Sequence, residues 1–298
     1  MQISSPKLFI IYNPVAGSFN RDKFEKRLDR YVLDNKDDTI LFRTEYPGHA
    51  AELAAKALEI NADTVIVAGG DGTVNEVAGA LVNSSTKLLI IPTGSGNGLA
   101  RHLKLPLNLE GSIKLIENGK DLSIDCGMAN DMYFFCTCGV GYDAEVSKSV
   151  SLMKKRGRMM YAREMIKVFL KYKPERLKLI SDQEEFEEEV FTLTFANANQ
   201  YGNNAYIAPD ADIQDGKIDI AIIKPISLLK VLLFGIQLFT KQAAKNRNYS
   251  CLKSSGATLE RDNEGVMHID GNAVYAGKII KIRVLPHALR VVVPEWFN

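Results

Sequence analysis

The sequence predicts two domains: an α/β N-terminal domain built on a parallel sheet, and an all-β C-terminal sandwich carrying helical inserts. Three observations predict this. Strand and helix signals alternate strictly through the first hundred residues, which is the signature of a parallel sheet with helices on both faces. From about Asp121 the rhythm changes to short strand-like runs divided by turn dipeptides, as in an antiparallel sandwich or barrel. Two long helical segments then interrupt that run.

The elements follow in order. Residues 7–12 are a short apolar run closed by Asn13-Pro14, a buried strand and a turn. Residues 24–33 place Phe24, Leu28, Tyr31 and Val32 at helical spacing, and 39–42 form a second strand. The Ala- and Leu-rich stretch 49–60 is helical by propensity. Strand 64–68, helix 74–81, strand 87–91 and a helix starting at 99–103 complete the alternation. In the second half the strands are 122–125, 132–137, 191–196, 218–223, 265–270, 278–285 and 289–293. Asp215-Gly216, Asn263-Glu264-Gly265 and Asp270-Gly271-Asn272 mark turns between them. The helical inserts span 147–171 and 227–244.

Composition narrows the function. The 298 residues carry 37 Lys+Arg against 36 Asp+Glu, a formal charge of +1, without the basic excess of a nucleic-acid binder. Four cysteines are too few for a disulfide scaffold. Cys136 and Cys138, with sulfurs expected on one face of a strand over 133–140, have the wrong spacing for a zinc pair. No apolar run reaches the roughly 18 residues of a membrane-spanning helix, and the N-terminus lacks a signal-peptide pattern, so a cytoplasmic protein is expected. The four histidines, His49, His102, His268 and His287, form no ligand pair. The near-neutral sum hides an uneven distribution. Residues 151–180 hold ten basic residues against two acids, and the next ten residues hold six acids. That pattern fits either a solvated helix with a compensating acidic hairpin or a cationic surface for a phosphate-bearing ligand or anionic bilayer.

Two glycine loops carry the chemistry. Gly69-Gly70-Asp71-Gly72-Thr73 lies between a strand and a helix, where glycines allow close backbone approach and the helix N-terminus favours an anion. Asp71 among those donors would repel a bare phosphate, but it suits a bridging Mg²⁺ or a substrate hydroxyl; as a plain helix cap it needs no ligand. Pro92-Thr93-Gly94-Ser95-Gly96-Asn97-Gly98 occupies the next strand–helix junction. In a parallel sheet both loops sit at strand C-termini, where ligands bind. Neither is a P-loop, and neither has the dinucleotide spacing of a Rossmann dehydrogenase.

These motifs resemble the diacylglycerol kinase catalytic domain family, which includes sphingosine and ceramide kinases and bacterial lipid kinases. Gly69-Gly70-Asp71-Gly72-Thr73-Val74-Asn75-Glu76-Val77 resembles its signature. Asn13-Pro14-Val15-Ala16-Gly17 resembles its first nucleotide loop, Thr44 to His49-Ala50 its Thr-then-His-Ala segment, and the 92–101 stretch its second glycine loop. Asp125 with Gly139-Val140-Gly141-Tyr142-Asp143 is similar to the opening of its second domain, and the 208–217 stretch to its later metal loop.

The resemblance implies an N-terminal fold like that of NAD kinase and phosphofructokinase, with residues 1–124 as nucleotide-binding domain. Residues 125–298 would then be the β-sandwich lipid-substrate domain, its final strand able to pack back on the first. ATP is implied between the domains, with Mg²⁺. Asn13, Pro14, Gly17, Thr44, Gly69, Gly70, Asp71, Gly72, Thr73, Asn75, Gly94, Ser95, Gly96 and Asn97 would contact the nucleotide. Asp125, Asp212 and Asp215, with the Lys217 carbonyl, would serve metal, and Asp143 the substrate. Asp71, Asp215 and Asp270 are implied in catalysis, together with position 272. The family usually has Asp-Gly-Glu where this chain has Asp270-Gly271-Asn272, and Asn cannot take a proton from a hydroxyl.

The function expected is therefore an ATP- and Mg²⁺-dependent lipid kinase acting on a primary hydroxyl of a diacylglycerol-like or sphingoid lipid at a membrane surface. It would make transient peripheral contact with the inner face of the membrane, with a homodimer as a possible assembly. A weak or inactive lipid- or nucleotide-binding relative and a soluble-substrate kinase of the NAD kinase type stay open. The apolar run 228–239, followed by Lys241, Lys245 and Arg247, reads either as a helix covering the sandwich core or as an interfacial helix. The basic run 154–173 could serve the same end.

Overall fold

The computed structural model describes residues 7–17, 21–153 and 158–297. The chain divides into two units. One comprises Met1–Ile124 with His287–Asn298, the other Asp125–Pro286.

In the first unit the strands and helices are β1 (Leu8–Tyr12), α1 (Arg21–Asp34), β2 (Thr39–Arg43), α2 (His49–Glu59), β3 (Thr64–Gly69), α3 (Asp71–Leu81), β4 (Lys87–Pro92), α4 (Gly98–His102) and α5 (Leu109–Asn118). The sheet order is β2-β1-β3-β4, and all these pairs are parallel. Strands β1, β3 and β4 are buried almost throughout, which is why they read as unbroken Val/Ile/Leu runs rather than alternating ones. The strand order reverses between β1 and β3, so the loops after β1, β3 and β4 meet at the carboxyl edge next to a topological switch point. Helix α3 begins at Asp71, not at the expected 74. Gly70 is extended and caps it, and Gly72 and Thr73 already belong to its first turn. Helix α5 went unpredicted, although its Asn108 cap accepts the Gly111 N–H.

The second unit holds β5 (Gly119–Ala129) from Asp125 on, β6 (Met132–Phe134), β7 (Thr137–Gly141), α6 (Tyr142–Ser151), α7 (Arg158–Phe169), β8 (Glu175–Ser181), β9 (Glu185–Val190), β10 (Thr192–Ala196), β11 (Ile218–Ile223), α8 (Leu228–Phe239), β12 (Tyr249–Ser254), β13 (Gly256–Arg261), β14 (Gly265–Ile269), β15 (Asn272–Ala276) and the start of β16 (Ile279–Pro294). One antiparallel sheet runs β12-β11-β10-β7-β14-β15. The facing layer contains β9, β8, β13 and residues 279–283 of β16, also antiparallel. Between them lies an apolar core that includes Cys138, Val140, Leu177, Leu179, Leu193, Phe195, Leu259 and Met267. The other face of the six-stranded sheet is covered by the helices, through Tyr142, Phe191, Ile223, Val231 and Phe234. This is the α/β-plus-sandwich architecture the sequence predicts.

Several expected elements differ in detail. The strand expected over 133–140 is broken at Phe135 and Cys136, and only Cys138 of the two thiols joins the sandwich core. Cys136 instead directs its thiol to the Gln200 carbonyl. The insert expected at 147–171 begins at Tyr142 and forms two helices. The strands expected at 278–285 and 289–293 are one 16-residue strand, β16, which carries Pro286 and a positive-φ His287 within it. Its last residues return to the first unit, where Val291 pairs in parallel with Leu88 of β4. The basic run is partly neutralised in place: Arg176 pairs with Glu187, Lys178 with Glu185 across the β8–β9 hairpin, and Lys167 with Glu164. Lys154, Lys155 and Arg156 lie outside the described residues.

Candidate active site

In the first unit, three loops at the carboxyl edge of the parallel sheet are tied to one another by side chains. Asn13, just after β1, donates from its amide to Thr73 Oγ1 on α3 at 2.8 Å. Its own Oδ1 receives the Val15 N–H, which shapes the Asn13-Pro14 turn up to Gly17, a positive-φ position. Asp71, the first residue of α3, reaches the second glycine loop. Its Oδ2 accepts the Asn97 N–H at 2.9 Å and its Oδ1 the Gly98 N–H at 2.7 Å. These N–H groups stand at the start of α4, where no intrahelical acceptor exists, and the carboxylate also meets the positive end of that helix. Asn97 adopts a left-handed conformation and closes its loop onto the Gly94 carbonyl.

The glycines of both loops are set by close approach. A Cβ on Gly94 would lie 2.6 Å from the Gly70 Cα, and one on Gly96 would lie 2.7 Å from Asp71 Oδ2. The loops therefore pack closely, backbone on backbone at Gly70 and Gly94 and with the Asp71 carboxylate against Gly96. The exposed Ser95 is at the tip, and the buried Thr93 hydroxyl has no hydrogen-bond partner among the described residues. Thr44 continues the edge after β2, its N–H donating to the Tyr12 carbonyl at 2.9 Å. Asn75 lies in the first half of α3.

In the second unit, Asp125 and Asp270 are joined through the buried Asn197 and Phe135, and the exposed Asp215 sits on the loop that Asp125 holds. Asp125 is fully buried. Its Oδ2 accepts the Gly216 N–H at 2.7 Å and its own N–H donates to the Ile213 carbonyl, so it clips the 212–217 loop onto β5. The buried Asn197, which the sequence reading missed, donates its amide to the carbonyls of Asp125 and Phe135. Asp270 caps the break between β6 and β7. Its carboxylate accepts the N–H groups of Phe135, Cys136 and Thr137 at 2.9, 2.8 and 3.0 Å. Asp270 has a φ of 47° and is followed by Gly271 at 81°, the tight turn the dipeptide signals. Asn272 is exposed on β15, paired in register with Ile269.

The side chains of the expected metal residues have partners within the protein. Asp215 accepts the Lys217 N–H on Oδ1 and an ammonium, Lys253 Nζ, on Oδ2 at 2.6 Å. Lys253 also pairs with the buried Asp219 at 3.3 Å, directly across the β11–β12 ladder. Burial pushes the Asp219 carboxyl up despite that cation. Burial would lower the Lys253 ammonium, but Asp215 and Asp219 outweigh it and raise it. Asp212 turns its Oδ1 to the Gln214 N–H. Among the described residues no three His, Cys, Asp or Glu side chains converge on a metal position. A lysine supplies the positive charge the loop carboxylates call for.

Asp143, expected to meet the substrate, is a part-buried residue of the second unit. Its Oδ2 receives the hydroxyls of Thr194 at 2.8 Å and Tyr201 at 3.0 Å, and it lies 3.1 Å from His268 Nε2. Burial alone would raise its carboxyl. The neighbouring His268 and the threonine hydroxyls outweigh burial and hold it below the usual carboxylate range. Gly139 leaves room for this contact, since a Cβ there would be 2.9 Å from both Asp143 Oδ2 and His268 Nε2. By sequence His268 belongs to no ligand pair. Nothing in its local sequence pairs it with a residue 125 positions earlier.

Residues 7–129 match the diacylglycerol kinase catalytic domain, and residues 136–293 match the YegS C-terminal NAD kinase beta sandwich-like domain. The chain belongs to the diacylglycerol kinase and YegS-type lipid kinase family. A "Probable lipid kinase YegS-like" of Klebsiella pneumoniae (strain 342) is 28% identical over 254 residues, 83% of each chain. A diacylglycerol kinase of Bacillus subtilis (strain 168) is 26% identical over 278 residues, covering 91% of this chain and 90% of that one. The crystal structure of a diacylglycerol kinase from Bacillus anthracis str. Sterne shares the fold, with a TM-score of 0.74 over 98% of both chains at 21% identity. In family terms, the two glycine loops and Asp71 lie in the catalytic-domain match, and Asp270 and Asn272 in the sandwich match.

Proposed function

We propose that the protein transfers the γ-phosphate of ATP, brought in with Mg²⁺, to a primary hydroxyl of a diacylglycerol-like or sphingoid lipid. One observation carries the reading: Asp71 fastens the second glycine loop to the start of α3 through the Asn97 and Gly98 N–H groups. That clamp fixes two glycine-rich strand–helix junctions side by side at the carboxyl edge of a parallel sheet, a setting suited to a polyphosphate. Phosphoryl transfer needs mainly positioning and charge neutralisation, so a fixed donor cradle matters more than a strong base.

In this reading the loops at Asn13 to Gly17, Gly69 to Asn75 and Gly94 to Asn97 hold the nucleotide, with Thr44 beside them. Mg²⁺ bound with the nucleotide would neutralise charge on the transferring phosphate. Asp71, whose carboxylate stands at the junction of the two glycine loops, orients the lipid hydroxyl or a metal-bound water in this reading. Asp270 spends its oxygens on three backbone donors and keeps the β6–β7 break in shape; it positions rather than takes the proton. Asp125 and Asp215 fix the 212–217 loop in the same way.

A second reading rests on Asn272. It stands where the family usually has a Glu, so a protein that binds nucleotide and lipid but turns over slowly fits the same geometry. Radiolabelled ATP offered with a panel of diacylglycerols, ceramides, sphingoid bases and NAD in mixed micelles separates the readings. Label in a lipid supports the proposal, label only in a water-soluble acceptor overturns it, and nucleotide binding without label transfer supports the second reading.

A further inference from the structure

Helix α8 is apolar on two opposite sides. Val231 and Phe234 are buried, and Leu238 packs against the same cluster. On the other arc Leu229, Leu232, Leu233, Ile236 and Phe239 are 69%, 49%, 52%, 61% and 57% exposed. They recur at helical spacing and share one outward face. A surface helix ordinarily puts polar side chains there, and scattered single hydrophobics need no explanation, but five large ones on one face do. With 12 residues the helix is too short to cross a bilayer, which takes about 20.

The charge around this face names its partner. From residue 220 to 259 the sequence holds six basic residues and no Asp or Glu. Lys224 and Lys253 are neutralised by Glu188, Asp215 and Asp219. Lys230, Lys241, Lys245 and Arg247 are exposed and form no ion pair among the described residues. A second copy of the chain, docked by the same face, would bring these cations against their own counterparts. An anionic bilayer offers both an apolar layer and phosphates. We propose that the outer face of α8 is a docking surface for anionic phospholipid bilayers. Its leucines and Phe239 enter the headgroup–acyl boundary while Lys230, Lys241, Lys245 and Arg247 meet lipid phosphates. This rests on the lipid-kinase reading only for its purpose, since bilayer binding is measured without turnover.

The test is co-sedimentation of the full chain with phosphatidylglycerol/phosphatidylcholine vesicles and with pure phosphatidylcholine vesicles. The wild type is expected on the anionic vesicles, less so at high salt. The triple variant Leu232→Ser, Leu233→Ser, Ile236→Ser is expected to bind them at least about tenfold more weakly, with unchanged melting and unchanged turnover of a short-chain, water-soluble diacylglycerol. The double variant Lys241→Glu, Lys245→Glu should lose the preference for anionic vesicles. Undiminished vesicle binding by the triple variant overturns the proposal, as does failure of the wild type to bind. So does a concentration-dependent dimer that the triple variant abolishes, which would assign the face to a second copy. Vesicle binding without any turnover would sink the kinase reading and leave this one standing.

Discussion

Asp71 accepts the backbone N–H of Gly98 at 2.7 Å, tying the first residue of one helix to the first residue of the next. The contact spans 27 residues of sequence and fixes the spacing of the two glycine loops. Asp71→Asn keeps the size but can turn only one acceptor oxygen to two N–H donors. Leaving one donor unsatisfied should cost about 1–3 kcal/mol in thermal or urea unfolding. ATP-dependent phosphorylation should fall by about 100-fold or more, on the scale of a lost electrostatic contact at a reacting centre. Unchanged turnover would refute the clamp's role.

Two glycines, one in a loop and one in a helix, predict opposite outcomes for alanine substitution. In Gly94→Ala the new Cβ has no room beside the Gly70 Cα, so about 1–3 kcal/mol of stability and most of the nucleotide affinity should be lost. Gly235→Ala, inside α8 with nothing within 4 Å of its Cβ position, should instead stabilise the protein by about 0.5–1 kcal/mol. Calorimetric melting with a nucleotide titration reads both. A stable, ATP-binding Gly94→Ala protein would contradict the packing argument.

Asp270 and Asn272 are two residues apart and should behave differently. Asp270→Ala strips three N–H groups of their acceptor at the β6–β7 break and should cost about 3 kcal/mol or more. Asn272→Ala, at an exposed position, should change stability by less than about 0.5 kcal/mol and turnover by no more than about threefold. If Asn272→Ala abolished turnover, position 272 would have to touch the reacting groups after all.

Lys253 supplies the counter-charge of Asp215 and Asp219. Lys253→Met leaves Asp215 and the buried Asp219 near each other without a counter-charge. The melting temperature should fall, and millimolar Mg²⁺ should restore part of the loss. The wild type, its carboxylates already neutralised, should gain little from Mg²⁺. Equal Mg²⁺ stabilisation of both proteins would restore a resident metal to the loop.

The Asp143–His268 pair sets a pH dependence. The Asp143 carboxyl is held below its ordinary value of 3.8, so the folded state binds fewer protons than the unfolded one around that pH. Its contribution to stability is fully present above 3.8 and is lost as pH falls through the lowered folded value. Asp143→Asn should therefore be less stable than wild type at neutral pH, and the gap should close in acid. Parallel unfolding curves from neutral pH down to below 3 for both proteins check this. A constant difference at every pH would show that Asp143 contributes no linked charge.

The sequence by itself determined the strand–helix alternation of the first unit, the sandwich class of the second and the family, whereas α5 and strands β8, β9, β12, β13 and β15 emerge only in the structure. Buried parallel strands must be apolar throughout, and glycine is required where backbones touch, so β1, β3, β4 and both glycine loops are written in local composition. Asp270-Gly271 announced its turn for the same local reason. The tertiary structure decided what the polar side chains do. The 125-residue separation of Asp143 from His268, the reach of Asn197 to Asp125 and Phe135, and the Lys253 ammonium on Asp215 are contacts between distant segments, and no local pattern encodes them. The same holds for α8. Its sequence shows an apolar helix, but only packing distinguishes the face that Val231 and Phe234 bury from the face that Leu232 and Ile236 leave outside, because a helix apolar all round carries no periodic signal of which side is covered.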